Sequence, residues 1–454
     1  MKTETTAQRV LANDPSLDHI TPYDRFAWSD AQIEQWLASG TRQRELSDYF
    51  GPEEYRVLAA LARRARAARA AADGLHVLIV PGIMGSQLGM ARAAPLPNDI
   101  LWLDPLDIQR GRLAALRMPA AAPIVPLGVV LFSYLRLKLH LRARGFAVEF
   151  HDYDWRLPVT RAGEKLAERL EALQPARVAI VAHSMGGLVG RAALAVGAAR
   201  HVERVILLGT PNCGSFAAVQ ALRGTYAVVR KVARLALQAS AESLASEVFS
   251  TFPSLYELLP HGSCDLAGLD LFDARAWPAA APSPHPALLA AARALPQRLA
   301  PADERFAVIA GVGVETVTAL RRRKEEFVYT LTRGGDGTVP LASAQLAGAR
   351  CFCARVAHSD LTRDRQVAAA VADLLRSGNT KRLPARWPGA ARARAQVSDG
   401  ALRRTHCEKV DWGALTPKER RLFLENLNEP PRLRLRSPRS SSRRRRAPPR
   451  PHHA

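Results

Sequence analysis

The sequence predicts an α/β protein with a mostly parallel, doubly wound central sheet. Short runs rich in β-branched residues are typical of buried parallel strands, and five such runs occur at residues 77–80, 147–151, 178–182, 205–208 and 306–309. Helical segments such as 132–144 and 164–173 alternate with them, as they do when crossover helices join parallel strands. The chain has 454 residues, of which 48% are hydrophobic, so it can bury a substantial core.

The most specific local signal lies between the third of these strands and a glycine-rich helix predicted at 186–199. A serine at a sharp strand-to-helix turn needs small residues two positions to either side, and Ser184 has Ala182 and Gly186 there. Ala182 replaces the first glycine of the G-x-S-x-G pattern. Ser184 is therefore the candidate nucleophile, although the His-Ser-x-Gly run alone would also fit an ordinary tight turn.

A nucleophilic serine needs a base, and the base needs an orienting carboxylate. Asp336 lies in a glycine-rich loop after the strand-like segment 327–331, and His358 ends the strand-like segment 350–358. Taken singly, Asp336 fits a turn residue and His358 fits the start of a helix. The order Ser, Asp, His along the chain is that of an α/β-hydrolase, in which loops at the carboxyl ends of strands form one site. The sequence thus predicts this fold, with Ser184, Asp336 and His358 as its triad.

Attack on an ester carbonyl also requires hydrogen-bond donors for the oxyanion that forms. The backbone N–H of Met185, the residue after the nucleophile, is the first expected donor. The second is expected from the loop after the first strand, where Gly82 and Gly85 let the backbone approach a ligand closely, and we assign it to Ile83. The alternative is that Pro81 and Gly82 merely end that strand.

Seven segments of the chain carry a family resemblance. They are HVLIVPGIMGSQL (76–88), ILWLD (100–104), YDWR (153–156), AHSMGG (182–187), LGTPNCGS (208–215), PSLYELLP (253–260) and GDGTVP (335–340). Together they resemble the lecithin:cholesterol acyltransferase family over about residues 75–375. That family also contains lysosomal phospholipase A2 and phospholipid:diacylglycerol acyltransferases.

The resemblance implies acyl transfer or hydrolysis on a lipid ester substrate. It implies Ser184 as nucleophile, Asp336 as orienting carboxylate and His358 as base, with oxyanion donors at Ile83 and Met185. The secreted animal members carry paired cysteines, and this chain has no obvious equivalent framework. The sterol substrate is therefore not carried over to this chain.

The chain divides into three regions by composition and pattern. Residues 1–74 form a predicted helical N-terminal extension, whose Ala- and Arg-rich helix at 55–72 packs on the core or lies on an anionic membrane. Residues 75–378 form the predicted catalytic domain. Within it, residues 212–303 are too many for a simple crossover between strands and indicate a cap. The aromatic run of this cap, at 249–256, fits either the lining of an acyl groove or the core of the cap.

Residues 379–454 are predicted to be a basic, largely disordered C-terminal tail. Residues 381–454 hold twenty Lys and Arg against six Asp and Glu, a net charge of +14 out of +22 for the whole chain. Such a segment attracts phosphates, so peripheral contact with an anionic membrane is one expectation and a solvated tail without function is another. Specific recognition of nucleic acid is not expected.

The remaining features exclude several classes of protein. The five cysteines are scattered and lack zinc-ligand spacing, so neither a disulfide scaffold, a metal nor another cofactor is expected. We find no apolar stretch long enough for a membrane span and no signal-peptide pattern, and so expect a cytoplasmic protein. Two alternatives to a lipid acyltransferase or hydrolase stay open: a soluble carboxylesterase, and a non-catalytic polyanion-binding protein on a hydrolase fold.

Overall fold

The central sheet of the protein is parallel and six-stranded. A computed structural model describes residues 29–68, 74–94, 96–174, 176–197, 201–280, 282–389, 395–404 and 408–425. The strands in this part of the chain are β1 (His76–Val80), β2 (Ser86–Met90), β3 (Asp99–Trp102), β4 (Val125–Val129), β5 (Ala147–Phe150), β6 (Val178–His183), β7 (Val202–Leu208), β8 (Phe306–Gly311), β9 (Val314–Arg323), β10 (Glu326–Gly335), β11 (Arg350–Ala354) and β12 (Ala395–Ser398). The main sheet has the order β11-β8-β7-β6-β1-β5. All five predicted strands lie in it, which confirms the predicted parallel sheet.

Helices cover both faces of this sheet. They are α1 (Asp30–Ser39), α2 (Gln43–Phe50), α3 (Pro52–Ala67), α4 (Pro105–Gln109), α5 (Leu131–Arg142), α6 (Val159–Ala172), α7 (Met185–Ala195), α8 (Phe216–Leu222), α9 (Ala227–Leu235), α10 (Ala241–Glu247), α11 (Pro253–Glu257), α12 (Pro286–Ala292), α13 (Leu341–Ala344), α14 (Arg365–Ser377), α15 (Asp399–Arg404) and α16 (Pro417–Glu425). Among the described residues, none of these helices is both long and apolar enough to cross a bilayer.

The two faces of the sheet belong to two hydrophobic clusters, because successive side chains of a strand point in opposite directions. Val77 and Ile79 of β1 pack with α5, α14 and the N-terminal helices α1 to α3, so the Ala- and Arg-rich helix α3 packs on the core. Leu78 and Val80 of the same strand pack with α6, α7 and the cap. Burial on both faces explains why the strands read as continuous apolar runs.

The register of the sheet positions the turn that follows β6. Ala182 of β6 pairs with Val80 of β1, and His183 pairs with Leu208 of β7. Parallel strands paired in this way end at the same edge of the sheet. The loops after β1, β6 and β7 therefore leave the sheet side by side.

Helices α8 to α12 lie between β7 and β8, in the region predicted as a cap. Phe249, Phe252 and Tyr256 are buried there, and Phe252 packs edge-on against Trp155 at 5.6 Å between ring centroids. These aromatic side chains are thus part of the hydrophobic core and not a free surface. Leu255, between them, lines the cavity described below.

Two small antiparallel sheets flank the main one, formed by β3-β2-β4 and by β12-β10-β9. The predicted strand-like segment 327–331 lies within β10, which pairs with β9 and not with the main sheet. Strand β12, α15 and α16 belong to the region predicted as a disordered tail, yet Trp412 and Phe423 are buried and β12 pairs with β10. That prediction is wrong for the described residues of 395–425, since a few apolar side chains spaced among arginines suffice to anchor them. Residues 426–454 lie outside the described residues.

Candidate active site

Ser184 occupies a strained turn between β6 and α7. Its backbone has φ 55° and ψ −129°, which costs an L-residue about 1–3 kcal/mol and persists only where neighbours hold it. A Cβ added to Gly186 would lie 2.4 Å from the carbonyl oxygen of Pro81, and one on Gly82 would lie 2.8 Å from Cβ of Ser184. The loop after β1 is therefore packed against the turn so closely that glycine is required on both sides of the contact.

The structure brings the three predicted triad residues into one hydrogen-bonded chain. Nε2 of His358 lies 2.9 Å from Oγ of Ser184, and Nδ1 of His358 lies 2.8 Å from Oδ2 of Asp336. All three side chains are buried. A base within hydrogen-bond reach of the hydroxyl, held in turn by a carboxylate, is the arrangement that activates a serine for nucleophilic attack.

Asp336 lies in a turn, as one interpretation of its sequence predicts, and its carboxylate also contacts His358. Its Oδ1 accepts hydrogen bonds from the N–H groups of Thr338 (2.9 Å) and Val339 (2.7 Å), so it shapes the turn after β10 while Oδ2 stays on the histidine. The N–H of His358 donates to the carbonyl oxygen of Asp336 at 2.9 Å. His358 begins a short 3-10 turn, and the helix that follows begins later, capped by Asp364.

A second hydrogen-bonded chain, which sequence reasoning missed, lies behind the triad. The N–H of Gly82 donates to the phenolic oxygen of Tyr134 at 3.0 Å, so the phenolic proton points to Nδ1 of His183, also at 3.0 Å. Nε2 of His183 then carries the proton and donates to the carbonyl oxygen of His358 at 3.0 Å. Burial, with a smaller contribution from His358, lowers the pKa of His183 to about 3, which keeps this ring neutral.

The loop after β1 is held in one conformation by its neighbours. The N–H of Gly85 donates to the carbonyl of Gly82 at 3.0 Å, which closes a turn. Met84 in this turn has φ 63°. The indole N–H of Trp102 donates to the carbonyl of Met84 at 3.0 Å and holds it in place. In such a turn the N–H of the second residue, Ile83, is not used in the turn hydrogen bond. The N–H of Met185, at the first position of α7, has no acceptor within the helix either.

An apolar cavity of about 140 Å³ opens at the triad. Ser184 and His358 line it, together with other polar side chains such as His183, Ser215 and Thr338. Its apolar lining comes from the loop after β1, from β3, from α5, from the cap and from the C-terminal segment, and it includes Ile83, Trp102, Phe132, Val228, Leu255, Leu258 and Leu424. A polar reaction centre in a mostly apolar cavity suits an ester whose acyl group is a hydrocarbon chain.

Comparison with known proteins agrees with the motif-based resemblance. A family model described as lecithin:cholesterol acyltransferase matches residues 143–278, which confirms the predicted resemblance. The match contains Ser184 and much of the cap, and it ends before Asp336 and His358. No protein with a curated description matches the sequence. The family match and the α/β fold together support an enzyme of the lipid-acting hydrolase or acyltransferase class.

Solved structures with a similar chain path are distant in sequence. A chain of the Tle4–Tli4 complex is 14% identical, with a TM-score of 0.46, over 66% of this chain and 98% of that chain. The mature lipase BlEst2 of Bacillus licheniformis is 15% identical, with a TM-score of 0.37, over 68% of this chain and 94% of that chain. A hydrolase from Pseudomonas aeruginosa is 18% identical, with a TM-score of 0.30, over 68% of this chain and 92% of that chain.

Proposed function

We propose that the protein is a serine-dependent acyltransferase or acyl hydrolase of lipid esters. One observation carries the proposal: the hydroxyl of Ser184 is hydrogen-bonded to His358, which is itself hydrogen-bonded to Asp336, in a cavity lined mostly by apolar side chains. The family match to residues 143–278 supports the lipid-ester substrate class.

In the proposed acylation step, Oγ of Ser184 attacks the ester carbonyl carbon while Nε2 of His358 accepts the hydroxyl proton. Asp336 stabilises the imidazolium that forms and keeps Nδ1 protonated. The carbonyl oxygen gains the negative charge, and the N–H groups of Ile83 and Met185 are the proposed donors to it. Collapse of this intermediate breaks the bond to the alcohol, which leaves with the proton from His358, and an acyl-enzyme remains.

In the proposed deacylation step, His358 takes a proton from the incoming acceptor, whose oxygen attacks the acyl carbonyl. The bond from the acyl carbon to Oγ of Ser184 then breaks, and Oγ takes the proton from His358. If the acceptor is water, the products are a fatty acid and free Ser184. If it is a lipid alcohol, the product is a new ester. The same residues serve both reactions, so the acceptor depends on access to the acyl-enzyme.

The size of the cavity favours a second candidate, a carboxylesterase for short acyl groups. At about 140 Å³ the cavity lies below the ~300 Å³ at which sites for drug-sized ligands begin. An apolar cavity of ~150 Å³ holds a molecule of about the size of benzene. The two candidates differ in whether the cavity walls move to admit a long acyl chain.

The test of the proposed function is labelling with a fluorophosphonate, which reacts with an activated serine. We expect the wild-type protein to be labelled and the Ser184→Ala variant not to be. Product analysis with phospholipid vesicles, with and without a lipid alcohol, then separates hydrolysis from transfer. Equal labelling of the Ser184→Ala variant, or no turnover of any ester by the wild type, would reject the proposal.

We propose further that the basic C-terminal residues attract the enzyme to anionic membrane. Residues 426–454 hold nine arginines and one glutamate, and attraction between charges in water is screened beyond ~10 Å at moderate ionic strength. A protein truncated after Asn426 should bind anionic vesicles less tightly than the full chain at low salt, while both bind neutral vesicles alike. Equal binding to anionic vesicles would contradict this proposal. The cytoplasmic location stays a prediction.

A further inference from the structure

The C-terminal segment between β12 and α16 is anchored on the cap by buried contacts. The carboxylate of Asp399 accepts from Nε of Arg223 at 3.0 Å and from the hydroxyl of Tyr329 at 2.7 Å, and both charged side chains are fully buried. Farther along, Nζ of Lys409 donates to the carbonyl oxygens of Ala233 (2.7 Å) and Ala236 (2.6 Å), at the carboxyl end of α9. These contacts hold the segment against the cap at two separate places.

The same segment ends in a helix that reaches the active-site cavity. Trp412 and Phe423 are buried and pack edge-on, with ring centroids 6.1 Å apart, and Nε of Arg420 donates to the carbonyl of Trp412 at 3.0 Å. Leu424, next in the chain, is 8% exposed and lines the cavity that contains Ser184. A side chain 240 positions after the candidate nucleophile therefore forms part of the wall around the substrate.

We propose that Leu424 is a specificity-determining residue that limits the length of the acyl chain, an inference that rests on the proposed function. The cavity of about 140 Å³ is lined by apolar side chains of the cap and by Leu424 of α16. Val228 of α9, Leu255 of α11 and Leu424 of α16 belong to one hydrophobic cluster, and Leu424 lies on the last described helix. Removing bulk at Leu424 enlarges the cavity without altering Ser184 or His358.

The experiment measures kcat/KM for p-nitrophenyl butyrate and p-nitrophenyl dodecanoate with the full-length protein. A hydrophobic pocket changes the kcat/KM ratio of two substrates by about tenfold or more when an apolar group of one substrate does not fit it. We expect Leu424→Ala to raise the dodecanoate-to-butyrate ratio by about tenfold and Leu424→Trp to lower it by a similar factor. Loosening of the helix alone would change both esters by the same factor and leave the ratio unchanged.

Leu422 provides the matched control, since it lies on the same helix and is only partly buried, outside the cavity lining. Leu422→Ala should keep the wild-type ratio, and thermal melting should show that each variant is folded. If Leu424→Trp does not fold, the dodecanoate-to-butyrate ratio of the Leu424→Ala protein is the deciding measurement. An unchanged ratio in folded Leu424→Ala overturns this inference but not the proposed function, provided that Ser184→Ala is inactive. A wild-type protein that is not labelled by the fluorophosphonate and turns over neither these esters nor phospholipid overturns both.

Discussion

The phenolic oxygen of Tyr134 lies 3.0 Å from Nδ1 of His183, although the two residues are 49 positions apart. This contact joins the loop that carries the proposed oxyanion donor to the backbone of the proposed base. The phenol accepts from the N–H of Gly82, and the imidazole donates to the carbonyl of His358. We infer that Tyr134 and His183 are positioning residues, because their hydrogen bonds go to the backbone of Gly82 and His358 and the His183 ring packs against the His358 ring at 4.7 Å between centroids.

Replacement of Tyr134 by Phe should reduce kcat by about tenfold while KM changes little. Two buried groups, the N–H of Gly82 and Nδ1 of His183, would lose their partner, and each such loss costs about 1–3 kcal/mol. Steady-state kinetics with a short-chain ester test this expectation. Tyr329→Phe is the control, since it removes a buried phenol hydrogen-bonded to Asp399, away from the triad. Equal kcat values for Tyr134→Phe and the wild type would contradict the positioning role.

Replacement of His183 by Gln should reduce the sensitivity of the fold to acid. Burial lowers the pKa of His183 to about 3, below its ordinary value of about 6.5. Between these pH values the unfolded chain takes up a proton at His183 and the folded chain does not, so stability present above pH 6.5 is lost as the pH falls. The free energy of unfolding lost through His183 amounts to at most about 3 kcal/mol by pH 4.5.

The measurement is urea unfolding of the two proteins between pH 7 and pH 4.5. The difference in free energy of unfolding between the wild type and His183→Gln should shift in favour of the variant as the pH falls. Burial also lowers the pKa values of His140 and His151, to about 4, but both residues are present in either protein and cancel in the comparison. Parallel pH profiles would show that His183 titrates alike in the folded and unfolded chains.

Replacement of Asp336 by Asn should lower kcat by about four orders of magnitude, as loss of the orienting carboxylate does in serine hydrolases. The amide favours the wrong tautomer of His358, although the turn hydrogen bonds to Oδ1 can persist. Asp360 is the matched control, because it is an exposed carboxylate in the same 3-10 turn as His358. A mild Asp336→Asn combined with a severe Asp360→Asn would reassign the orienting role.

Replacement of Asp399 by Asn should release the C-terminal segment from the cap. Arg223 would stay buried without its counter-charge, and breaking a buried ion pair in this way costs about 3–5 kcal/mol. Hydrogen exchange should then become faster in β12 and α15 than in the main sheet. Asp411→Asn alters an exposed carboxylate of the same segment, and because the amide oxygen can still accept from Gln109 and from the N–H of Gly413, exchange should change less than in Asp399→Asn. Unaltered exchange in Asp399→Asn would show that other contacts hold the segment.

The sequence by itself determined the main sheet, the strained turn at Ser184 and the order of the triad. These features are readable because the information is local: buried parallel strands are apolar throughout, and a turn after a strand demands small residues beside the serine. Asp336 and His358 were predicted from their order after Ser184 and from the strand-like segment before each, although only β11, the strand before His358, belongs to the main sheet.

Only the tertiary structure decided which side chains support that centre and which close the cavity. Tyr134 lies in a helix whose apolar pattern predicts core packing, and nothing near it in sequence indicates His183 as its partner. Leu424 lies in a segment whose arginines suggest a solvated tail, yet Asp399 and Trp412 are buried there. Composition averages over a segment, whereas a buried ion pair or one leucine in a cavity wall depends on contacts between residues far apart in the chain. Such contacts exist only once the sheet and cap have folded.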